Sequence, residues 1–139
     1  TGARTHAGRE DAPGIPVPTD VLVDDGDVIR VGRVELTARH LVGHTPGSIA
    51  LVYDDPHGHP HVFTGDCLFP GGPGRTTRPQ DFESLMSGLE AKVFVLPDET
   101  WIYQPRQRHH ARCRAASPRG VAQAAGRSAA SPPRCSLGK

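Results

Sequence analysis

Two short segments of this 139-residue chain carry the residue types that metal-assisted chemistry needs. Gly43-His44-Thr45-Pro46-Gly47-Ser48 puts one imidazole in a loop whose glycines allow tight backbone paths and whose proline stiffens the turn. Further along, Thr64-Gly65-Asp66 ends an apolar run with a carboxylate. Alone, a loop histidine or a strand-end aspartate is usually just solvated. In this order they point to an imidazole nitrogen and a carboxylate oxygen aimed at a common metal. Both donors suit zinc at about 2.0–2.2 Å. A carboxylate can also bridge two metals that hold a nucleophilic hydroxide.

Other candidates are weaker. His57-Gly58-His59-Pro60-His61 is rich in imidazole but lies in turn chemistry, between Asp54-Asp55-Pro56 and an apolar segment. It reads as a solvated turn whose three rings would bind nickel or copper adventitiously. Cys67, next to Asp66, has the usual fate of a small buried thiol. Asp24-Asp25-Gly26-Asp27 and Asp54-Asp55 read as solvated turns. His109-His110 with Cys113 has no second cluster at ligand spacing.

The elements that must position these residues are short. Val21–Val23 leads through the acidic turn to Val28–Val31, and Gly32-Arg33 is a second tight turn. Val34, Leu36 and Ala38 then alternate with polar residues, predicting a strand with one buried face. Ser48–Tyr53 is apolar almost throughout, as in a well-buried sheet, and His61–Thr64 returns as its partner in a run of hairpins. Phe82, Leu85, Met86 and Leu89 fall at helical spacing and predict one helix over about Gln80–Ala91, with Pro79, Asp81 and Glu83 suiting its start. The apolar stripe is core packing. Val93–Leu96 stops at Pro97, and Trp101–Tyr103 is one more short strand.

The charge distribution divides the chain. The net charge is only +1, yet all fifteen carboxylates lie between Glu10 and Glu99. Up to Tyr103 eight basic residues leave a charge of −7; residues 104–139 hold eight more with no acid, a charge of +8. This second segment contains no aromatic residue, and its large aliphatics are Val121 and Leu137. It cannot bury enough apolar surface to offset an ordering cost of roughly 1–2 kcal/mol per residue. Residues 1–103 are therefore expected to be a globular body, and 104–139 a disordered basic tail, with weak helix at most around Val121–Ala125. With no aromatic interleaving for base stacking, nucleic acid is not an expected partner. Mean hydropathy is −0.42, and neither a membrane-spanning run nor a secretory signal is visible. Three widely spaced cysteines fit a reducing compartment, so the cytoplasm is the expected location.

Gly43–Ser48, together with Phe63-Thr64-Gly65-Asp66-Cys67-Leu68-Phe69-Pro70-Gly71-Gly72-Pro73-Gly74-Arg75, resembles the metallo-β-lactamase superfamily, and within it the glyoxalase II-like hydrolases. The resemblance covers about Thr1–Tyr103. It implies an α+β (α/β) fold, here part of the four-layer αβ/βα sandwich. It further implies a binuclear zinc centre at the sheet edges and hydrolysis of a thioester or ester by a metal-bound hydroxide. Carried over, His44 is a ligand of one metal and Asp66 the carboxylate bridging two. Gly71, Gly72, Gly74 and Arg75 border the groove for a small-molecule substrate, with Arg75 able to meet an anionic group.

Two family features are missing. The His-x-His-x-Asp-His cluster that should precede His44 is absent, and Thr1–Ala7 resembles the stretch that follows it. The chain is therefore expected to be a fragment. A Pro-Gly-His-Gly-type loop should follow Trp101–Tyr103, but Gln104-Pro105-Arg106-Gln107 stands there. Codons allowed for Gln104–Arg114, read from the second nucleotide, permit a His-Gly-Asn-Asp-Thr-Thr-Leu-Gly ending like the family's. Residues 104–139 thus read as a frameshifted translation, which sequencing of the locus would decide.

With two ligands left, zinc binding is expected to be weak or absent and hydrolysis absent in this chain alone. The alternatives are a non-catalytic binding module, and half of a split hydrolase completed by another chain. Exposed strand edges such as Ser48–Tyr53 are expected to invite self-association.

Overall fold

A computed structural model describes residues 2–69 and 71–104. The expectations for 105–139 (disorder, weak helix, frameshift, the His109-His110-Cys113 set) lie outside the described residues.

The body is built on a five-stranded sheet in the order β3-β4-β5-β6-β9. β3 (Val28–Val31), β4 (Val34–His40), β5 (Ile49–Tyr53) and β6 (His61–Phe63) pair antiparallel in succession, the expected run of hairpins. The β3–β4 turn is Gly32-Arg33, with Gly32 at φ +62°, the left-handed conformation such two-residue turns require. After β6 the chain passes through a 3-10 turn, a small hairpin of β7 (Leu68–Phe69) with β8 (Gly72–Pro73), and the helix α1 (Pro79–Lys92). It then returns as β9 (Trp101–Tyr103), parallel to β6. Parallel neighbours need such a crossover, and α1 supplies it. A separate parallel pair joins β1 (His6–Gly8) to β2 (Val21–Val23). The sequence does not announce β1, because His6-Ala7-Gly8 has no apolar alternation.

α1 agrees with the expected helix to within a residue at each end. Pro79 occupies the first turn, where its missing N–H costs nothing, with Asp81 beside it; Lys92 sits in the last turn. Leu85 and Leu89 are fully buried against Leu41, Ala50, Val52, Val62, Cys67, Leu68 and Val93, with Met86 packed alongside. Removing either leucine side chain would cost about 2–5 kcal/mol. Phe82, counted in the stripe, is exposed, so the buried seam is narrower than the spacing suggests. Val93–Leu96 is a turn that closes the helix, with the Val93 and Phe94 amides both donating to the Leu89 carbonyl.

The register separates two sheet faces. Ala50, Val52, Val62 and Ile102 face the core under α1, whereas Ile29, Ile49 and Leu51 point the other way, toward Gly8 and Val23 of the small sheet. The expectation of a fully buried β5 therefore holds on one face: Ile49 and Leu51 are half-buried. The expectation that Ser48–Tyr53 is an exposed edge is wrong. β5 is the central strand, its backbone groups satisfied by β4 and β6, and the edges are β3 and β9. β3 presents Val28 and Val31 to solvent.

Candidate metal centre

His44 lies in the loop between β4 and β5. Its mouth is closed by the Leu41 amide donating to the Ser48 carbonyl at 2.8 Å. Gly43 (φ +147°) lies flat on the first turns of α1: a Cβ there would meet the Leu85 Cβ at 2.6 Å and overlap the Asp81 carbonyl. On the far side His40 Nε2 donates to the Pro46 carbonyl at 2.7 Å. Within this cradle His44 Nδ1 lies 2.8 Å from the Arg75 carbonyl. A carbonyl oxygen only accepts, so the proton of the neutral ring sits on Nδ1 and the lone pair on Nε2. Metal-binding histidines are commonly oriented by such a carbonyl.

Asp66 lies on the 3-10 turn Gly65–Cys67 that follows β6. Gly65 (φ +52°) lets the chain reverse, and the buried Thr64 hydroxyl donates to the Leu68 carbonyl at 2.9 Å, anchoring the turn to β7. Asp66 Oδ2 stands 3.8 Å from His44 Nε2, too far for a hydrogen bond. Two ligands of one ion at ordinary bond lengths lie roughly 3–3.5 Å apart. Asp66 Oδ1 is buried and has no hydrogen-bond partner. A buried acceptor left bare costs about 1–3 kcal/mol, more when charged, so an unfilled carboxylate oxygen beside a free imidazole lone pair fits a cation. Among the described residues no group of three or more His, Cys, Asp or Glu is placed to hold a metal ion.

The segment 71–75 ties His44 and Asp66 together through its main chain. The Gly74 amide donates to the Cys67 carbonyl at 2.8 Å, and a Cβ on Gly74 would overlap the Asp66 carbonyl. Arg75, next in line, supplies the carbonyl that orients His44 while its side chain is exposed. Gly71 and Gly72 have positive φ (+121° and +153°) and open space around them. The resemblance assigns these residues to a substrate groove. The contacts of Gly74 and Arg75 with Asp66, Cys67 and His44 emerge only in three dimensions.

The remaining candidates fall elsewhere. Cys67 is buried below Asp66, its Sγ 3.8 Å from the Leu41 carbonyl, and burial above all pushes the thiol up, so it stays protonated. Of the three turn histidines, His57 is exposed, but His59 and His61 are packed, not solvated as expected. His59 stacks on Trp101 at 4.8 Å, and His61 lies against Tyr53 and Tyr103 with Nδ1 2.9 Å from the Tyr103 hydroxyl. Their partly apolar rings complete an aromatic surface on β6 and β9. The acidic turn before β3 is also more than solvated: Asp24 pairs with Arg9, and Asp25 accepts from Lys92 Nζ at 2.9 Å and the His40 amide at 2.8 Å. Sequence reasoning overlooked Asp11, which reaches Thr45 and Gly47 across the fold. No local signal marks it.

Residues 2–124 match the family model described as the metallo-beta-lactamase superfamily. The mitochondrial persulfide dioxygenase ETHE1 of Homo sapiens is 40% identical over 91 residues, which are 65% of this chain and 35% of that protein. The hydroxyacylglutathione hydrolase GloC of Haemophilus influenzae is 38% identical over 76 residues, 54% of this chain and 34% of that one. The chain thus spans about a third of the length of these relatives. Among solved structures, ETHE1 from Myxococcus xanthus superposes with a TM-score of 0.66 and 31% identity, covering 79% of this chain and 46% of its own. TTHA1623 in a di-iron-bound form gives a TM-score of 0.58 at 25% identity, covering 83% and 64%. A family model covering most of the chain, on a sheet and helix that superpose on solved members, makes this chain a member of the metallo-beta-lactamase superfamily.

Proposed function

We propose that the body of this chain, residues 1–103, is part of a metal-dependent hydrolase of thioesters or esters, in which His44 Nε2 binds one metal and Asp66 bridges two. The observation that carries the reading is the bare, buried Asp66 Oδ1, with the other oxygen 3.8 Å from an imidazole nitrogen whose lone pair is free. Nitrogen and oxygen donors suit zinc and iron alike, and the similarity to a di-iron protein keeps iron beside zinc as the ion. When bound, the metal supplies a hydroxide nucleophile and polarises the carbonyl under attack. The chain's own residues hold and orient: the Arg75 carbonyl keeps the proton on His44 Nδ1, and Gly74 seats the Asp66 turn. Gly71, Gly72, Gly74 and Arg75 flank the approach of a small-molecule substrate, with the exposed Arg75 guanidinium toward its anionic group.

Hydroxyacylglutathione is a thioester, and a persulfide also carries its reactive centre on sulfur, so similarity to both kinds of enzyme supports a sulfur-linked substrate. Zinc in catalytic sites takes three protein ligands and a water. The two donors here therefore bind metal weakly, and the chain alone does not turn over.

The test is zinc and iron titration of the full chain, with hydrolysis of an acylglutathione thioester followed in parallel. Weak binding that disappears in His44→Ala and Asp66→Ala, without turnover, agrees with the proposal. Two tightly bound equivalents with turnover abolished by His44→Ala would refute the inactive chain, and binding unaffected by either change would refute the site.

A further inference from the structure

We propose that Asp11 is a positioning residue for His44, its carboxylate holding the histidine loop by accepting two hydrogen bonds from it. The inference rests on the reading of His44 as a metal ligand.

Asp11 stands at the N-cap of the 3-10 turn Ala12–Gly14, yet its side chain makes no capping bond to that turn. It turns instead to the loop. Oδ1 accepts from the Gly47 amide at 2.8 Å and Oδ2 from the Thr45 hydroxyl at 2.5 Å. Thr45 is the neighbour of His44, so one bond grips the loop directly beside the ligand and the other grips it beyond Pro46. Ser48 completes the set, its hydroxyl 2.5 Å from that of Thr45 and accepting from the Thr45 amide at 3.1 Å. The backbone is fitted to this contact. A Cβ on Gly47 would meet the Asp11 amide nitrogen at 2.5 Å, and one on Gly8 would overlap the Gly47 carbonyl. The Asp11 amide donates to the Gly8 carbonyl at 3.1 Å, so the carboxylate is anchored at the end of β1.

No ion pair holds Asp11 among the described residues; its negative charge is spent on two neutral donors of this loop. Bonds to a charged acceptor are shorter and about twice as strong as neutral ones. From the opposite side the Arg75 carbonyl fixes the ring itself. The loop is thus clamped between β1 and the β7–β8 hairpin, which is what holds Nε2 at its place opposite Asp66. Within the loop the set runs from Asp11 through Thr45 to Ser48.

The experiment compares the full chain with Asp11→Ala, Asp11→Asn and Thr45→Val. Three quantities are read: the ring nitrogen shifts of His44, exchange of the Gly47 amide, and zinc affinity. In Asp11→Ala the His44 ring loses its single Nδ1–H form, Gly47 exchanges at least tenfold faster, and zinc affinity falls about 10–100-fold, as for other groups that orient a metal ligand. Asp11→Asn, whose amide oxygen still accepts from Gly47, falls between wild type and Asp11→Ala. Thr45→Val removes one of the two bonds and serves if Asp11→Ala does not fold. A folded Asp11→Ala, or failing that Thr45→Val, with wild-type ring shifts and Gly47 exchange overturns the proposal. If the wild-type chain binds no zinc, the metal reading fails by itself, while the ring shifts and exchange still decide whether Asp11 orients His44.

Discussion

Among the described residues, the His57–His61 turn and the His44/Asp66 pair behave in opposite ways. The turn from His57 to His61 has three histidines in five residues, with Asp55 Oδ2 3.9 Å from His61 Nε2. The rings of His59 and His61 are used as flat apolar surface, stacked with Tyr53, Trp101 and Tyr103. The other place has one histidine and one aspartate from distant segments. There the ring's proton is pinned by the Arg75 carbonyl, and the carboxylate keeps an oxygen buried with no partner. The dense cluster packs two of its rings against aromatic neighbours, whereas the sparse pair sets a free imidazole lone pair opposite a carboxylate with a bare, buried oxygen. Under the proposed reading, donors held in place from outside mark a metal site better than the density of histidines in the sequence.

That contrast can be broken first by metal binding, where the largest effect is expected. His44→Ala or Asp66→Ala should lower zinc affinity at least 100-fold in competition with a chromophoric chelator, against less than threefold for a His59→Ala/His61→Ala double variant. A reversed ranking would make the turn the metal site. Next, Gly74→Ala drives a methyl group into the Asp66 carbonyl and should cost about 1–3 kcal/mol in urea unfolding, the usual range for overpacking. A neutral result would show that the hairpin does not clamp the ligand turn.

The two regions should then differ in the sign of their stability effects. Asp66→Asn removes a bare charge and should leave the metal-free chain as stable or up to about 1 kcal/mol more stable. His61→Ala removes stacked area and should destabilise it by about 1 kcal/mol. Thermal melts of the metal-free proteins decide both.

The smallest effect lies away from both places. Burial tends to raise the Asp25 carboxyl, but the Lys92 ammonium and the His40 amide outweigh it and hold it below the ordinary carboxylate value. The group therefore adds stability above its unfolded value near pH 4, and that contribution is lost as pH falls through the lower folded value. Because Asp25 is about half exposed, the contribution is under about 1 kcal/mol. Lys92→Ala should flatten the acid limb of a urea-midpoint profile between pH 5 and 3. An unchanged limb would assign the acid sensitivity elsewhere.

Local signals were sufficient wherever neighbours in sequence are neighbours in space. The hairpins announce themselves through Gly32 and the alternation of β4, and α1 through Leu85 and Leu89 at helical spacing. The two ligand motifs are also legible, because each sits at a strand end and carries its own glycines. β1 was not legible: its three residues pair with β2 across a gap in sequence, beside the Thr5 amide donating to Asp20 Oδ2 at 2.8 Å. Asp11 was not either, since its partners lie 34 and 36 residues away. The misplaced sheet edge has the same origin. Whether β5 is central depends on where β9 returns, and a strand's apolarity does not say which neighbours it will have.

By itself the sequence determined the family resemblance, the hairpins from β3 to β6, the helix with Leu85 and Leu89 in its seam, and the two residues to examine for metal. Those depend on residue type and short-range spacing, which act through steric preference and one-sided burial. The tertiary structure decided that His44 and Asp66 meet, that one carbonyl sets the imidazole's proton, and that the richer histidine turn becomes packing. Each of these depends on hydrogen bonds and overlaps between segments far apart in the chain. Such contacts exist only once the core under α1 has brought the loops together.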